Sequence, residues 1–473
     1  MKFLFYYKKM SRQLLYVIVI SIASVKTLAV PTDSCYRLDL HLKKYSSQHI
    51  DLGHYYGNKI IFKDTILLDS EGNTCYTDID HEGIYFLRLA DSSAFEFMIT
   101  GKGYYTILDD NDKINIKGNA VTEAYDQYLQ QTGKIIYSID SLKKGMESTT
   151  DIFQIQTVRQ KIADYKSEIN SITSGIAKKF EGSLLGSYTK AMLPVTLTTA
   201  FYGQNGHESD SMKILKSIYF FRNHYFDNID FEMPGLIYTP IIEDRITDYL
   251  DRMIYSSPDS LFEAIDRLMT KSSQMEITQF ISTILLQRYQ NQRHRYLGEQ
   301  AYIYIIRNYY LSDKAPWTSE NDIRLLEEEM KKILTVTIGS HAPEIELTDM
   351  IGRKCSLHGI EMEYTILVFW DLACPSCKQI MQDFKNLIKK YYYIDIQIYT
   401  VYTGTDMEAW RTWNVKRLPA TWINTYQDLQ EPVSNTYNVT YLPAIFVLDR
   451  KKTIVRKNIT ITELDEFLYQ NSD

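Results

Sequence analysis

Two cysteines stand two residues apart in Cys374-Pro375-Ser376-Cys377, shortly after an apolar run that ends at Trp370. Two thiols at this spacing can close a disulfide only where the backbone between them turns, and a strand that leads into the first turn of a helix supplies that turn. The motif therefore predicts redox chemistry at a strand-to-helix junction.

The two thiols have different expected roles. A thiol attacks a disulfide only as its thiolate, and the unpaired N–H groups and dipole at a helix start would stabilise that charge on Cys374. Pro375 suits the first helical turn because it has no N–H to leave unsatisfied. Cys377, one turn further on, would then attack Cys374 in the mixed disulfide and release a reduced partner.

Two other interpretations of the cysteine pair stay open. A zinc site would need two further Cys or His ligands at suitable spacing, and none stands near the pair in the sequence. A purely structural bridge would close so short a loop that it stabilises little.

A second proline bears on the same site. Tyr441-Leu442-Pro443 precedes the apolar run 444–448, and a proline at the first residue of a strand is a suitable place for a cis peptide bond. Such a turn would expose the backbone of Leu442 for pairing with a substrate chain beside Cys374. A trans proline that merely begins the strand is the alternative.

The elements that would position these residues fall into three regions behind a leader. Residues 1–29 have the basic start, apolar stretch and small residues of a secretory signal, with an uncleaved membrane anchor as the alternative. Residues 35–118 alternate short apolar runs with turn residues, which predicts an antiparallel β-sandwich. Residues 119–335 repeat apolar side chains at helical spacing, which predicts an α-helical domain. Residues 336–473 alternate strands with helices and predict an α/β domain.

Composition and the other three cysteines bear on the number of domains and on the class of protein. The chain has 473 residues and a formal net charge of −7, which predicts several domains and argues against a general nucleic-acid binder. In an exported protein Cys35 and Cys75 could form a structural bridge or remain separate thiols. Cys355 has no evident partner and is interpreted as a small core side chain.

Residues 336–473 resemble the thioredoxin superfamily in the motif around Cys374 and Cys377 and in the downstream Pro443. The leading segment 339–357 makes them similar to its extracytoplasmic TlpA/ResA branch. The resemblance implies a thioredoxin fold, with Cys374 as nucleophile, Cys377 as resolving thiol and Pro443 as the cis-proline.

The same resemblance implies partners and contacts. The residues expected to touch the substrate are Trp370, Pro375, Leu442 and Pro443, with Trp370 packed beside the dithiol. The expected partners are disulfide-containing exported proteins and an upstream thiol electron donor or acceptor. No metal, nucleic acid or cofactor beyond the redox-active disulfide is implied, and membrane association would involve only the N-terminal segment.

The β and helical regions also resemble known domain types. Residues 35–118 are similar to β domains of the DUF4369 type, and residues 119–335 to helical domains of the DUF5106 type; neither implies chemistry.

The thioredoxin-like region departs from the family at one position: Val368 stands where thioredoxins place a buried acid. The proton acceptor is therefore open between Asp371, Glu363 and water.

The leading hypothesis is a thiol:disulfide oxidoreductase of the cell envelope, in the periplasm, that exchanges or reduces disulfides of exported proteins. A peroxidase of the AhpC/TSA type would want a Thr three residues before the reactive Cys and a Pro seven before it, where this chain has Asp371 and Leu367. The third hypothesis is a redox-sensing binding or scaffold protein, since the β and helical regions have no assigned task.

Overall fold

The computed structural model describes residues 35–110, 113–147, 150–197, 209–255 and 257–471. The secretory signal expected over residues 1–29 lies outside these ranges. Within them, no helix combines the length and the apolar character that crossing a bilayer requires.

The N-terminal region is a sandwich of two four-stranded sheets. Its strands are β1 (Tyr36–His41), β2 (His49–Tyr56), β3 (Lys59–Leu67), β4 (Asn73–Tyr76), β5 (Gly83–Arg88), β6 (Ala94–Ile99), β7 (Gly103–Asp110) and β8 (Lys113–Lys117). The strand orders are β4-β1-β7-β8 and β3-β2-β5-β6. Leu38 and Leu40 of β1 share one core with Ile50 and Leu52 of β2, as the two-residue period of half-buried strands requires.

The expected sandwich is confirmed, but it is not wholly antiparallel. Strand β1 lies inside its sheet, antiparallel to β4 and parallel to β7. The chain passes through the opposite sheet as β5 and β6 before it returns as β7, and that crossing allows a parallel pair, which a tight hairpin cannot form.

The central region is helical, as the spacing of its apolar residues predicted. Its helices are α1 (Ala120–Glu147), α2 (Ile152–Lys179), α3 (Leu184–Met192), α4 (Asp210–His224), α5 (Ile241–Arg252), α6 (Pro258–Met269), α7 (Met275–Gln292), α8 (Tyr296–Ile305) and α9 (Glu320–Thr335). Helix α6 begins as its sequence indicated: Ser257 is the N-cap, its hydroxyl accepts the Ser260 N–H, and Pro258 is the first helical residue.

His81 is partly buried where the sandwich meets the helical region. Its ring stacks on Tyr238 with the centroids 3.5 Å apart and lies 4.6 Å from the ring of His54. Burial, together with the neighbouring His54, lowers the pKa of His81 to about 4, and Asp80 opposes only part of that shift. A charge at this position is therefore disfavoured in the folded protein.

Acid is expected to weaken this interface. The pKa of His81 in the folded protein lies below the ordinary value of 6.5, so the unfolded chain binds a proton at this residue more tightly. The free energy of unfolding is therefore highest above pH 6.5 and decreases as the pH falls towards 4. The loss is on the order of 2–3 kcal/mol. Melting temperatures at pH 7 and pH 4.5 would show it, and His81→Phe, which keeps the stack but cannot titrate, should shrink the difference. The exposed His49→Phe is the control, and an unchanged pH dependence in His81→Phe would contradict the prediction.

The C-terminal region is a seven-stranded sheet covered by helices, with the order β10-β9-β13-β12-β11-β14-β15. Its strands and helices are β9 (Glu346–Asp349), β10 (Lys354–Ser356), β11 (Tyr364–Trp370), α10 (Pro375–Lys390), β12 (Ile396–Tyr402), α11 (Met407–Arg417), β13 (Ile423–Tyr426), α12 (Val433–Thr436), β14 (Ala444–Asp449), β15 (Ile454–Lys457) and α13 (Ile461–Gln470). The α/β fold expected for this region is confirmed.

Strand β11 is the centre of this sheet and carries the chain to the cysteine motif. It is parallel to β12 on one side and antiparallel to β14 on the other. Ile366 and Val368 pack into the core on one face of the sheet, while Leu367 and Phe369 pack into the core on the other. Because both faces are covered, the strand is a continuous apolar run rather than an alternating one.

Candidate active site

The dithiol lies where β11 ends and α10 begins. Cys374 is the N-cap of α10, and its sulfur accepts the backbone N–H of Cys377 at 3.2 Å. The hydroxyl of Ser376 lies 3.2 Å from the same sulfur. The two cysteine sulfurs are bonded to each other, with their Cα atoms 5.3 Å apart. Donors at a helix start thus surround the Cys374 sulfur, which favours a negative charge there.

The two sulfurs differ in access. Cys374 is half-buried and Pro375 is exposed, whereas Cys377 has no exposed surface and belongs to the apolar core under α10. An incoming disulfide can therefore reach Cys374 only. This asymmetry matches the roles expected for an attacking and a resolving thiol.

The peptide bond between Leu442 and Pro443 is cis, as the position of the proline predicted. The carbonyl oxygen of Leu442 lies 3.7 Å from the Cys374 sulfur. Within the described ranges, the backbone N–H of Leu442 has no hydrogen-bond partner. An extended chain could therefore pair with Leu442 while its sulfur meets Cys374.

Trp370 does not fit the substrate contact predicted for it. Its side chain is completely buried and packs against Trp413 and Tyr402, with ring centroids 5.0 and 5.5 Å away. The sequence places Trp370 correctly beside the dithiol, but as the last residue of a strand covered on both faces it points into the core. Trp370 therefore supports the β11–α10 turn and does not touch the substrate.

The candidate proton acceptors lie at different ends of strand β11 relative to the dithiol. Glu363 precedes β11 and is exposed at the end of the strand opposite the dithiol, so it cannot serve the site. Asp371 directly follows β11, and its carboxylate accepts the Ala373 N–H at 2.8 Å in the turn that leads to Cys374. Val368 is fully buried. Asp371 and water stay as the candidates.

The helical region contacts the cis-proline loop, which the sequence did not predict. The Tyr441 hydroxyl donates to the backbone oxygen of His294 at 3.3 Å, and the two rings meet edge to face. Nearby, the Lys457 ammonium and Glu299 carboxylate form a buried ion pair at 2.6 Å. These residues are far apart in the chain and their types are unremarkable, so a single sequence carries no signal for the contact.

Cys35 and Cys75 are separate exposed thiols. Cys75 lies opposite Asp39 in the β1–β4 pair, whereas Cys35 precedes β1 by one residue, about 13 Å along the strand from that point. The bridge considered from the sequence is therefore wrong. Cys355 is half-buried in β10, and burial raises the pKa of its thiol above the ordinary value.

Family models match two parts of the chain. Residues 338–457 match the model described as AhpC/TSA family, and residues 212–332 match the model described as domain of unknown function DUF5106. Thiol-disulfide oxidoreductase ResA from Geobacillus thermodenitrificans is 30% identical over 139 residues, which cover 29% of this chain and 76% of that protein. The chain belongs to the ResA-like thiol-disulfide oxidoreductases.

Two further proteins are similar. Thioredoxin-like protein YneN from Bacillus subtilis is 26% identical over 132 residues, which cover 28% of this chain and 76% of that protein. The crystal structure of a thioredoxin-like protein from Bacteroides caccae covers 59% of this chain and 98% of that chain at 19% identity, with a TM-score of 0.47. The resemblance to ResA-like oxidoreductases is thus confirmed, as is the DUF5106 similarity over residues 212–332. The DUF4369 similarity and the domain boundaries stay predictions.

Proposed function

We propose that this ResA-like oxidoreductase works outside the cytoplasm, where it exchanges or reduces disulfides of exported proteins through Cys374 and Cys377. The observation that carries the proposal is the half-buried Cys374 at a helix N-cap, 3.7 Å from the carbonyl of the cis Leu442–Pro443 bond. The signal-like residues 1–29 and the similarity to the TlpA/ResA branch support the location.

The reaction begins from the reduced dithiol. The Cys374 thiolate attacks one sulfur of a substrate disulfide, a mixed disulfide forms, and the other substrate sulfur leaves as a thiolate that takes up a proton. Asp371 or water accepts the proton from Cys377. The Cys377 thiolate then attacks the Cys374 sulfur and displaces the second substrate sulfur, which is protonated in turn. The substrate gains two electrons and two protons, and the enzyme is left with the Cys374–Cys377 disulfide.

An upstream thiol must restore the dithiol for a second cycle in the reducing direction. The direction is set by the reduction potential of the Cys374–Cys377 pair, which depends on how strongly the folded site stabilises the thiolate. A reduction potential of about −270 mV would make the protein a reductant like thioredoxin, and a potential of about −120 mV would make it an oxidant.

Insulin reduction with dithiothreitol as donor tests the proposal, together with a redox titration of the dithiol against glutathione. We expect turnover of insulin and a single two-electron transition. Hydrogen peroxide consumption without insulin reduction would replace the proposal with a peroxidase. Absence of both activities would favour the redox-sensing binding protein.

A further inference from the structure

A large cleft opens between the helical region and the α/β region and reaches the cis-proline. Its volume is about 1030 Å³, and Pro443 forms part of its wall. On the helical side, Tyr255, Arg295 and Tyr296 line it; on the opposite side, Ile380 and Ile459 do. The wall therefore comes from two regions whose contact was not predicted from the sequence.

The cleft borders the site of disulfide exchange at Pro443. Pro443 belongs to the cleft, and the carbonyl of the preceding Leu442 lies 3.7 Å from the Cys374 sulfur. Ile380 lies on α10, the helix that Cys374 caps. Met381 of this helix is fully buried, whereas its neighbour Ile380 is only partly buried. A chain bound to Cys374 would therefore leave the dithiol along this wall.

The lining combines exposed aromatic rings, aliphatic side chains and charged groups. Tyr255 and Tyr296 keep 57% and 46% of their surface exposed, and such rings supply large contact area at low entropic cost. Isoleucines lie across from them, and the cation Arg295 lies beside Tyr296. The volume is at the upper end of the roughly 300–1,000 Å³ typical of small-molecule sites, so the cleft has room for several residues of chain.

We infer that the helical region forms one wall of a substrate-binding cleft, and that the substrate is an extended polypeptide carrying apolar side chains next to its reactive cysteine. The inference rests on the proposed function, since it concerns the same Cys374 chemistry. In the bound state the N–H of Leu442 donates a hydrogen bond to a backbone carbonyl oxygen of the substrate, and flanking apolar side chains lie between Tyr296 and the isoleucines. A small disulfide reaches Cys374 without using this cleft.

The test compares a protein disulfide with a small one in the full-length protein. In Tyr296→Ala, kcat/KM for insulin is expected to fall about tenfold relative to kcat/KM for hydroxyethyl disulfide, because contact area near the centre of an interface dominates binding. Ile459→Ala removes contact area from the opposite wall and should lower the same ratio. The matched control is Tyr137→Ala, which removes a 75% exposed tyrosine of α1 outside the cleft and should leave the ratio unchanged.

The outcomes distinguish failure of the cleft inference from failure of the proposed oxidoreductase function. An unchanged insulin-to-small-disulfide ratio in both cleft variants overturns the inference while leaving the oxidoreductase intact. An equal fall for both substrates also overturns it, since that pattern indicates damage to the dithiol. If the wild-type protein reduces neither substrate, the proposed function itself fails. Unchanged melting temperatures of the variants would show that lost folding is not the cause.

Discussion

Insulin reduction by Cys374→Ser is expected to be lower than that of the wild type by about a thousandfold or more. A serine hydroxyl does not form the anion that attacks a disulfide at neutral pH. Cys377 cannot take over, because its side chain has no exposed surface. The measurement is the rate of insulin precipitation with dithiothreitol, after subtraction of the rate without enzyme.

Cys377→Ser should behave differently although its turnover is also lost. Cys374 can still attack, but no thiol is present to resolve the product, so a mixed disulfide with insulin should accumulate. Mass spectrometry under non-reducing conditions would detect it. Cys355→Ser is the matched control, because it removes a half-buried thiol outside the site. Turnover above a tenth of the wild-type rate in Cys374→Ser, or an insulin adduct at Cys377 of that variant, would contradict the assigned roles.

Glu299→Ala is expected to destabilise the contact between the helical and α/β regions by about 3–5 kcal/mol. Glu299 lies on α8 and pairs with Lys457 at the end of β15, and each side chain is only 5% exposed. Burial raises the pKa of the Glu299 carboxyl, and the Lys457 ammonium opposes that rise. Removing the carboxylate leaves the Lys457 cation buried without its partner. Calorimetric unfolding would measure the loss.

The double variant Glu299→Leu/Lys457→Met separates a lost charge pair from lost packing. Two apolar side chains of similar size should restore most of the stability, because no buried charge remains. Glu327→Ala is the control: it breaks an exposed pair with Lys331 on α9 and should cost less than about 1 kcal/mol. A double variant as unstable as Glu299→Ala would contradict this account of the interface.

The parts of the site that follow from local physics were predictable. Cys374 before Pro375 specifies a helix start, the apolar run of β11 specifies a strand covered on both faces, and Pro443 before β14 specifies a turn beside the dithiol. Each depends on a few neighbouring residues, so spacing alone carried the information. The same local reasoning identified the sandwich and the helices.

The features that could not be predicted depend on which surfaces of the helices, strands and loops pack against each other. Trp370 was expected to touch substrate, and only the packing of Trp413 against it shows why it cannot. The contact of Tyr441 with His294 spans two regions, and one sequence records no pairing between them.

The interior position of β1 sets a limit on shortening the protein. A chain that began after His41 would lose an interior strand: β4 would lose its neighbour in the sheet, β7 would keep only β8, and the loss of Leu38 and Leu40 would leave a void in the sandwich. Strand β1 therefore stabilises the whole N-terminal sandwich, and any proteolytic trimming compatible with folding must stop before Tyr36.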